Sequence, residues 1–274
     1  MGKATTADLK QANLESIMAR IYTMKETSNP ALSSDLGLSR PTVTRYVNHL
    51  EAKGFAEKKG FAESTGGRKA TAVHFVPVSR ISVGTELLKD HYEIVAIDLY
   101  GTILSSENHK REFQHDPEYY KAVSISISRF IRKLKVTKER ILGVGFVLQG
   151  LISADGTRVT YGKILQCTGL TINAFTKYLP YPCRLFHDAE SAAQVELWED
   201  HQLQNAIFFN IRTNLSGALI VGGRFLLGNE LKSGVFEHMT LVPGGKRCYC
   251  GKKGCVDVYC SYPILLEPGE TIEV

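Results

Sequence analysis

Leu9, Leu14, Ile17, Met18 and Ile21 recur at three- and four-residue spacing, which predicts an amphipathic helix from Asp8 to about Met24. A second, short helix is expected after Asn29-Pro30, with Asn29 as its cap, Pro30 at the first helical position and Gly37 as its stop. Ser39 can then cap a third helix running to about Lys53. Its inward face carries Val43, Tyr46, Val47 and Leu50, and its solvent side carries Arg40, Thr42, Thr44 and Arg45. Two short helices about a glycine turn make a helix-turn-helix. Residues 54–60 and the strand-like stretch 70–76, joined through Ser64-Thr-Gly-Gly-Arg-Lys69, predict a two-stranded wing and complete a winged helix.

After Pro77 the pattern changes. Apolar stretches at 81–88, 92–99 and 102–106, broken by turns, read as an antiparallel meander. A helix over 118–133 leads to an apolar strand at 141–148, and a helix over 189–198 follows Asp188. Three further strands, 206–210, 218–221 and 224–227, precede a cysteine-rich loop. Strands followed by helices place this body in the α/β class. The expected organisation is a winged helix over 1–77 and an α/β domain over 78–274, in keeping with the length of the chain.

Composition adds to this in two places. The chain is 43% hydrophobic and 22% charged, with no apolar run long enough to cross a bilayer and no basic-then-apolar leader, so a cytoplasmic location is expected. Residues 1–77 carry 11 Lys and Arg against 7 Asp and Glu, so 4 of the net +5 lies in this segment. A basic front end on a nearly neutral body points to an anionic partner, and with a winged helix that partner is double-stranded DNA. Ser39, Arg40, Thr42, Thr44 and Arg45 are placed for a major groove, and Arg68 and Lys69 at the wing tip for a minor groove. Each of these, taken singly, could equally be a solvated polar residue.

The most informative chemistry lies between His238 and Cys255. His238, Cys248, Cys250 and Cys255 supply one imidazole and three thiols, the ligand set of a closed tetrahedral zinc site with no open position for a reactive water. A structural Zn2+ is therefore expected. Disulfides would need an oxidising compartment, and Cys248 and Cys250 are too close in sequence to pair comfortably. The other alternative is incidental buried thiols. Gly251 and Gly254 supply the backbone freedom a metal knuckle needs. Cys167, Cys183 and Cys260 lack this spacing and read as core or surface thiols.

The winged helix, the Gly66-Gly67-Arg68 wing, the Phe186-His187-Asp188-Ala189-Glu190 helix start and His238-Met239 followed by Cys248 to Cys255 occur in the order seen in the ROK family. Over residues 8–260 the chain resembles that family, and specifically its xylose-repressor-like transcriptional regulators. The resemblance implies an actin-like, ribonuclease-H-like fold of two lobes with a sugar cleft between them, fronted by the DNA-binding domain. Family members continue well past the point matching Val274, so it also implies that the C-terminal part of the second lobe is missing, which would leave its core open.

The family contains sugar kinases as well as regulators, and the phosphate-handling segments separate the two. Where the kinases open with Asp-x-Gly-Gly-Thr, this chain reads Glu86-Leu87-Leu88-Lys89-Asp90. Where they have Gly-Thr-Gly-x-Gly, it reads Arg212-Thr213-Asn214-Leu215-Ser216, keeping only Thr213. Bulky side chains replace the glycines and Asp90 would repel a triphosphate, so no catalysis is expected.

By resemblance, Asp188 is the aspartate that holds a sugar hydroxyl and serves as the base in kinases; equally, it could simply cap the helix that follows. His187 and Glu190 stand where the family has Asn, and Asp257 stands where it has an acidic residue, usually Glu. Val235 replaces the glutamate that grips two sugar hydroxyls. In the family the histidine matching His238 holds zinc through one nitrogen and faces the sugar with the other. The ligand-binding candidates are thus His187, Asp188, His238 and Asp257.

The expected protein is a regulator, acting as a repressor, that binds operator DNA as a dimer or tetramer and senses a carbohydrate or derivative. The alternatives are an ATP-dependent sugar kinase using Asp188, and a regulator that has lost sugar binding and answers to a partner protein or to nothing.

Overall fold

The computed structural model describes residues 5–62, 69–266 and 270. Contacts divide the chain into two compact units. The first runs to Ile81 and also takes in Asp98–Thr102; the second comprises Ser82–Ile97 and the residues from Ile103 onward. Among the described residues, no helix is long and apolar enough to cross a membrane.

In the first unit, α1 (Thr6–Met24) opens with a capping box in which Thr5 and Asp8 each satisfy the other's backbone N–H. Only Ile17 and Ile21 of its expected stripe are fully buried, and Leu9 is 57% exposed. A three-residue strand, β1 (Glu26–Ser28), leads into α2 (Asn29–Leu36). The cap of α2 is Ser28 rather than Asn29. Ser28 has the extended backbone and offers its side chain to the Ala31 N–H, while Asn29 is already the first helical residue. Gly37 closes the helix at φ +63°, the left-handed conformation that a side chain would resist.

Ser39 caps α3 (Arg40–Ala52), and Val43, Tyr46, Val47 and Leu50 are its buried face. These pack with Ile17, Ile21 and Leu32 against Ala56 of β2 (Ala56–Phe61) and Val73 and Phe75 of β3 (Thr71–Phe75). The wing is a three-stranded sheet in the order β1-β3-β2, since β1 pairs with β3 on the side away from β2.

Asp98–Thr102 completes this unit. The Asp98 carboxylate accepts the N–H groups of Tyr100 and Thr102 at 2.8 and 3.0 Å, and Gly101 turns at φ +80°. The Tyr100 ring lies 4.8 Å from that of Tyr22 and 5.6 Å from that of Phe75. The Tyr100 hydroxyl donates to the Tyr22 carbonyl at 2.9 Å, and the Tyr22 hydroxyl donates to the Leu99 carbonyl at 3.1 Å.

The second unit is built on a five-stranded sheet. Its strands are β4 (Ile81–Leu87), β5 (His91–Ile97), β6 (Ile103–Lys110), β7 (Ile141–Leu148) and β10 (Cys183–His187), in the order β10-β7-β4-β5-β6. β4, β5 and β6 form the expected antiparallel meander, while β7 and β10 run parallel. Helix α4 (Pro117–Lys133), capped by Asp116, buries Tyr119, Val123, Ile127 and Phe130. The Tyr92 hydroxyl of β5 donates to Ser126 of that helix, which ties the helix to the sheet.

Between β7 and β10 lie the short strands β8 (Leu151–Ile152) and β9 (Val159–Tyr161) and the single turn α5 (Asn173–Thr176). The Phe175 ring of α5 stacks 4.0 Å from Phe146 of β7. Helix α6 (Asp188–Glu199) follows β10 directly. Its Ala193 and Leu197 pack on Ala218 and Ile220 in a second sheet of β11 (Asn205–Ile211), β12 (Leu215–Val221) and β13 (Arg224–Phe225). On the other face of β11, Ile207, Phe209 and Ile211 are exposed. The chain then passes a 3-10 turn, Phe236–His238, and the cysteine loop before α7 (Asp257–Cys260) and α8 (Tyr262–Leu265).

Candidate functional site

The four residues read as metal ligands converge. The donor atoms of His238, Cys248, Cys250 and Cys255 all lie within 4.8 Å of one another. Cys248 Sγ is 3.6 Å from His238 Nδ1, and Cys250 Sγ is 3.7 Å from Cys255 Sγ. The glycines are required as expected. Gly251 and Gly254 hold φ of +96° and +79°, and a Cβ on Gly254 would stand 1.8 Å from the Val242 carbonyl oxygen. The Leu241 and Val242 N–H groups donate to the Gly254 carbonyl, so the loop folds back onto the segment that leads into it.

Burial holds the His238 imidazole below its ordinary pKa, which favours the neutral ring a metal needs. Cys167 and Cys183 stand apart from this group, and burial pushes their thiols up to about 11, as suits inert packing residues.

His238 also lines a cavity of about 290 Å³ with His187, Asp188, Ser216, Val235 and Glu237. Because Nδ1 faces the thiols, the imidazole joins the metal group to the cavity wall. Asp188 is the first residue of α6 and is 4% exposed, and its side chain caps nothing. Instead its Oδ2 accepts the Ser216 hydroxyl at 2.9 Å and the Asn210 amide at 3.5 Å. Its Oδ1 has no hydrogen-bond partner but lies 3.2 Å from His187 Nε2. The carboxylate is thus oriented from β11 and β12, with its buried Oδ1 turned toward His187.

Asp257, also read as a ligand-binding candidate, is not among the residues lining this cavity. It is 3% exposed, and its Oδ1 accepts the Leu215 N–H at 2.7 Å.

Glu237 had no sequence signal as a cavity residue, since a glutamate between Phe236 and His238 reads as surface. It nevertheless lines the cavity, and its Oε2 is buried without a hydrogen-bond partner. Burial, reinforced by the negative charges of Asp188 and Asp257, pushes its carboxyl up to about 7. Ser216 and Asn210 were likewise missed, because hydroxyl and amide partners are brought to Asp188 only by the pairing of β11 with β12.

The two segments compared with phosphate loops face an adjoining cleft, which shares Gln149 and Ile164 with the cavity and is lined by Glu86, Lys89 and Asp90 from one segment and Arg212, Thr213 and Asn214 from the other. Arg212 is paired with Glu86 at 2.6 Å. Burial raises the Glu86 pKa, with Arg212 opposing. The one cation offered by the second loop is therefore already neutralised by a carboxylate from the first.

On α3, Ser39, Arg40, Thr44 and Arg45 are exposed and Thr42 is half-buried. Ser39 is engaged as the helix cap, and the Thr44 hydroxyl accepts the Asn29 amide at 3.2 Å. The Arg45 guanidinium lies over the Tyr46 ring at 4.9 Å. Lys69 is exposed, and Arg68 lies outside the described residues.

A family model described as ROK family matches residues 82–267, and one described as MarR family matches residues 14–59. A xylose repressor of Bacillus subtilis (strain 168) is 28% identical over 271 residues, covering 97% of this chain and 70% of that protein. The DNA-binding transcriptional dual regulator NagC of Escherichia coli (strain K12) is 22% identical over 253 residues, covering 91% and 62%. Among solved structures, a ROK family transcriptional regulator described as a homolog of the E. coli MLC protein superposes with a TM-score of 0.67 at 20% identity, over 93% of this chain and 66% of that one. A ROK family glucokinase from Streptomyces griseus, in complex with glucose and AMPPNP, superposes with a TM-score of 0.59 at 21% identity, over 68% and 58%. The chain thus spans between 58% and 70% of the length of these relatives.

Proposed function

The chain belongs to the ROK family, and on that footing we propose that it is a DNA-binding transcription regulator, acting as a repressor, that senses a small carbohydrate and carries out no phosphoryl transfer. The Glu86–Arg212 ion pair carries the distinction from the kinases. A triphosphate entering there would have to displace a carboxylate from the arginine and would meet Asp90 as well, a double charge penalty with no glycine-lined backbone cradle in return. The winged helix supplies the output. Arg40 and Arg45 on the exposed side of α3 suit phosphate and base-edge contacts, and Lys69 suits the flanking groove.

We infer that the metal is zinc in a structural role. A tetrahedral ion bonded to thiolates at about 2.3 Å sets its donors about 3.8 Å apart. The 3.6 and 3.7 Å separations found here support that assignment. Four protein donors leave no vacant position, so the ion would brace the wall that carries His238. Operator DNA is the partner and a dimer the functional form, because one winged helix reads too few base pairs for operator specificity. A sugar in the cavity would bias the regulator between two arrangements of its winged helices.

Selection of bound sequences from a random DNA pool, with and without D-xylose or N-acetylglucosamine, tests this reading. An enriched palindrome whose recovery changes with sugar is the expected result, and no enrichment sinks it. The oriented Asp188 carboxylate favours one rival, a sugar kinase. Sugar-dependent ATP turnover abolished by Asp188→Asn would establish that rival instead.

A further inference from the structure

Three polar atoms around the 290 Å³ cavity are buried with no hydrogen-bond partner: Glu237 Oε2, Asp188 Oδ1 and His187 Nδ1. Leaving such atoms unpaired is costly, and it is most costly for carboxylates facing each other at low dielectric. The remaining wall mixes apolar Leu151, Leu215 and Val235 with Lys163, Lys232 and Lys252, and none of these is hydrogen-bonded to Glu237 Oε2 or Asp188 Oδ1; the His187 imidazole lies 3.2 Å from Asp188. What relieves two convergent acceptors is a ligand that brings two or more hydroxyl donors.

Glu237 is also held in place. On one side the Phe236 ring packs 5.1 Å from Phe209, in space that exists only because residue 217 is glycine; a Cβ there would stand 2.5 Å from Phe236 Cδ2. On the other side His238 is tied to the cysteine loop, with its ring 5.0 Å from that of Tyr249. A residue fixed from both neighbours delivers its carboxyl to one point, and that point is the cavity. Val235, two residues earlier, lines the same wall and offers no acceptor.

We propose that Glu237 is a specificity-determining acceptor that grips hydroxyls of a polyhydroxylated ligand opposite Asp188, supplying from position 237 the carboxylate that position 235 lacks. This rests on the sugar-sensing reading above. It makes Glu237, and not Val235, the position that selects which hydroxyl pattern enters.

The test is calorimetric titration of the full chain with D-xylose, D-glucose, N-acetylglucosamine and glucose 6-phosphate, for wild type, Glu237→Gln and Glu237→Asp. Metal content and melting temperature are measured on every protein. Glu237→Gln should weaken the best-binding sugar by roughly tenfold or more at unchanged metal content. Deoxy analogues of that sugar should include one whose penalty in wild type vanishes in the Gln variant. The ligand-free Gln variant should melt no lower than wild type, because an unpaired buried carboxyl has been removed; a carboxyl with a structural role would lower it. Binding within twofold of wild type, or equal deoxy penalties in both proteins, overturns the inference alone. If Glu237→Gln loses its metal, Glu237→Asp takes its place under the same criteria. Silence of the wild type toward all four sugars overturns the sensing reading and this inference with it.

Discussion

Asp257 accepts the backbone N–H of Leu215 at 2.7 Å, joining the helix that follows the cysteine loop to the start of the strand that orients Asp188 through Ser216. The contact spans 42 residues of sequence and is buried. Asp257→Ala should therefore cost about 1–3 kcal/mol, since Leu215 N–H loses its acceptor inside the protein. Asp257→Asn, which keeps an oxygen there, should cost less. Urea unfolding separates the two, and equal losses would argue against the bond.

Cys250→Ser should remove the bound metal, read by elemental analysis, and lower the melting transition of the second unit by several degrees. A chelator applied to the wild type should do the same. The transition of the N-terminal unit and its DNA binding should be unchanged; parallel loss of both would show that the metal serves the winged helix.

Arg40→Ala and Arg45→Ala should each weaken DNA binding and lower the slope of log affinity against log salt by about one if the side chain meets a phosphate. A loss confined to one operator base with unchanged slope would instead make that arginine a base reader.

Tyr100→Ala should destabilise the N-terminal unit by about 2 kcal/mol, combining the ring contacts with Tyr22 and Phe75 and the hydrogen bond to the Tyr22 carbonyl. Tyr100→Phe should cost roughly half as much. Calorimetry resolves this, because the loss should appear in the winged-helix transition even though Tyr100 lies well beyond Pro77.

Legibility differed by element for physical reasons. The inward face of α3 was readable because Val43, Tyr46, Val47 and Leu50 follow helical periodicity, and that periodicity is what packing selects. The convergence of His238, Cys248, Cys250 and Cys255 was readable because ligand chemistry restricts residue type and spacing together. β1 was not, since Glu26-Thr27-Ser28 is three residues long and has no apolar alternation; it is a strand only because β3 presents an edge. The cap of α2 fell one residue early because Ser28 and Asn29 are both good caps, and backbone geometry alone chooses between them. Glu237 shows the limit on the cavity side. Its sequence neighbours say nothing of burial; the turn that carries it is seated through Phe236 against Gly217 and Phe209 of the β11–β12 sheet.

The turn at Asp98–Thr102 bears on how the protein is made. A winged helix usually finishes folding once its wing has been synthesised, but here Leu99 and Tyr100 belong to the same unit as Tyr22 and Phe75. Ribosomes add about 5–20 residues per second, so the N-terminal unit waits on the order of seconds after its last wing strand for these residues to be synthesised and to clear the exit tunnel. During that interval the faces of Tyr22 and Phe75 are open to the cell. The winged helix therefore becomes complete only when the chain has been made as far as the turn between β5 and β6.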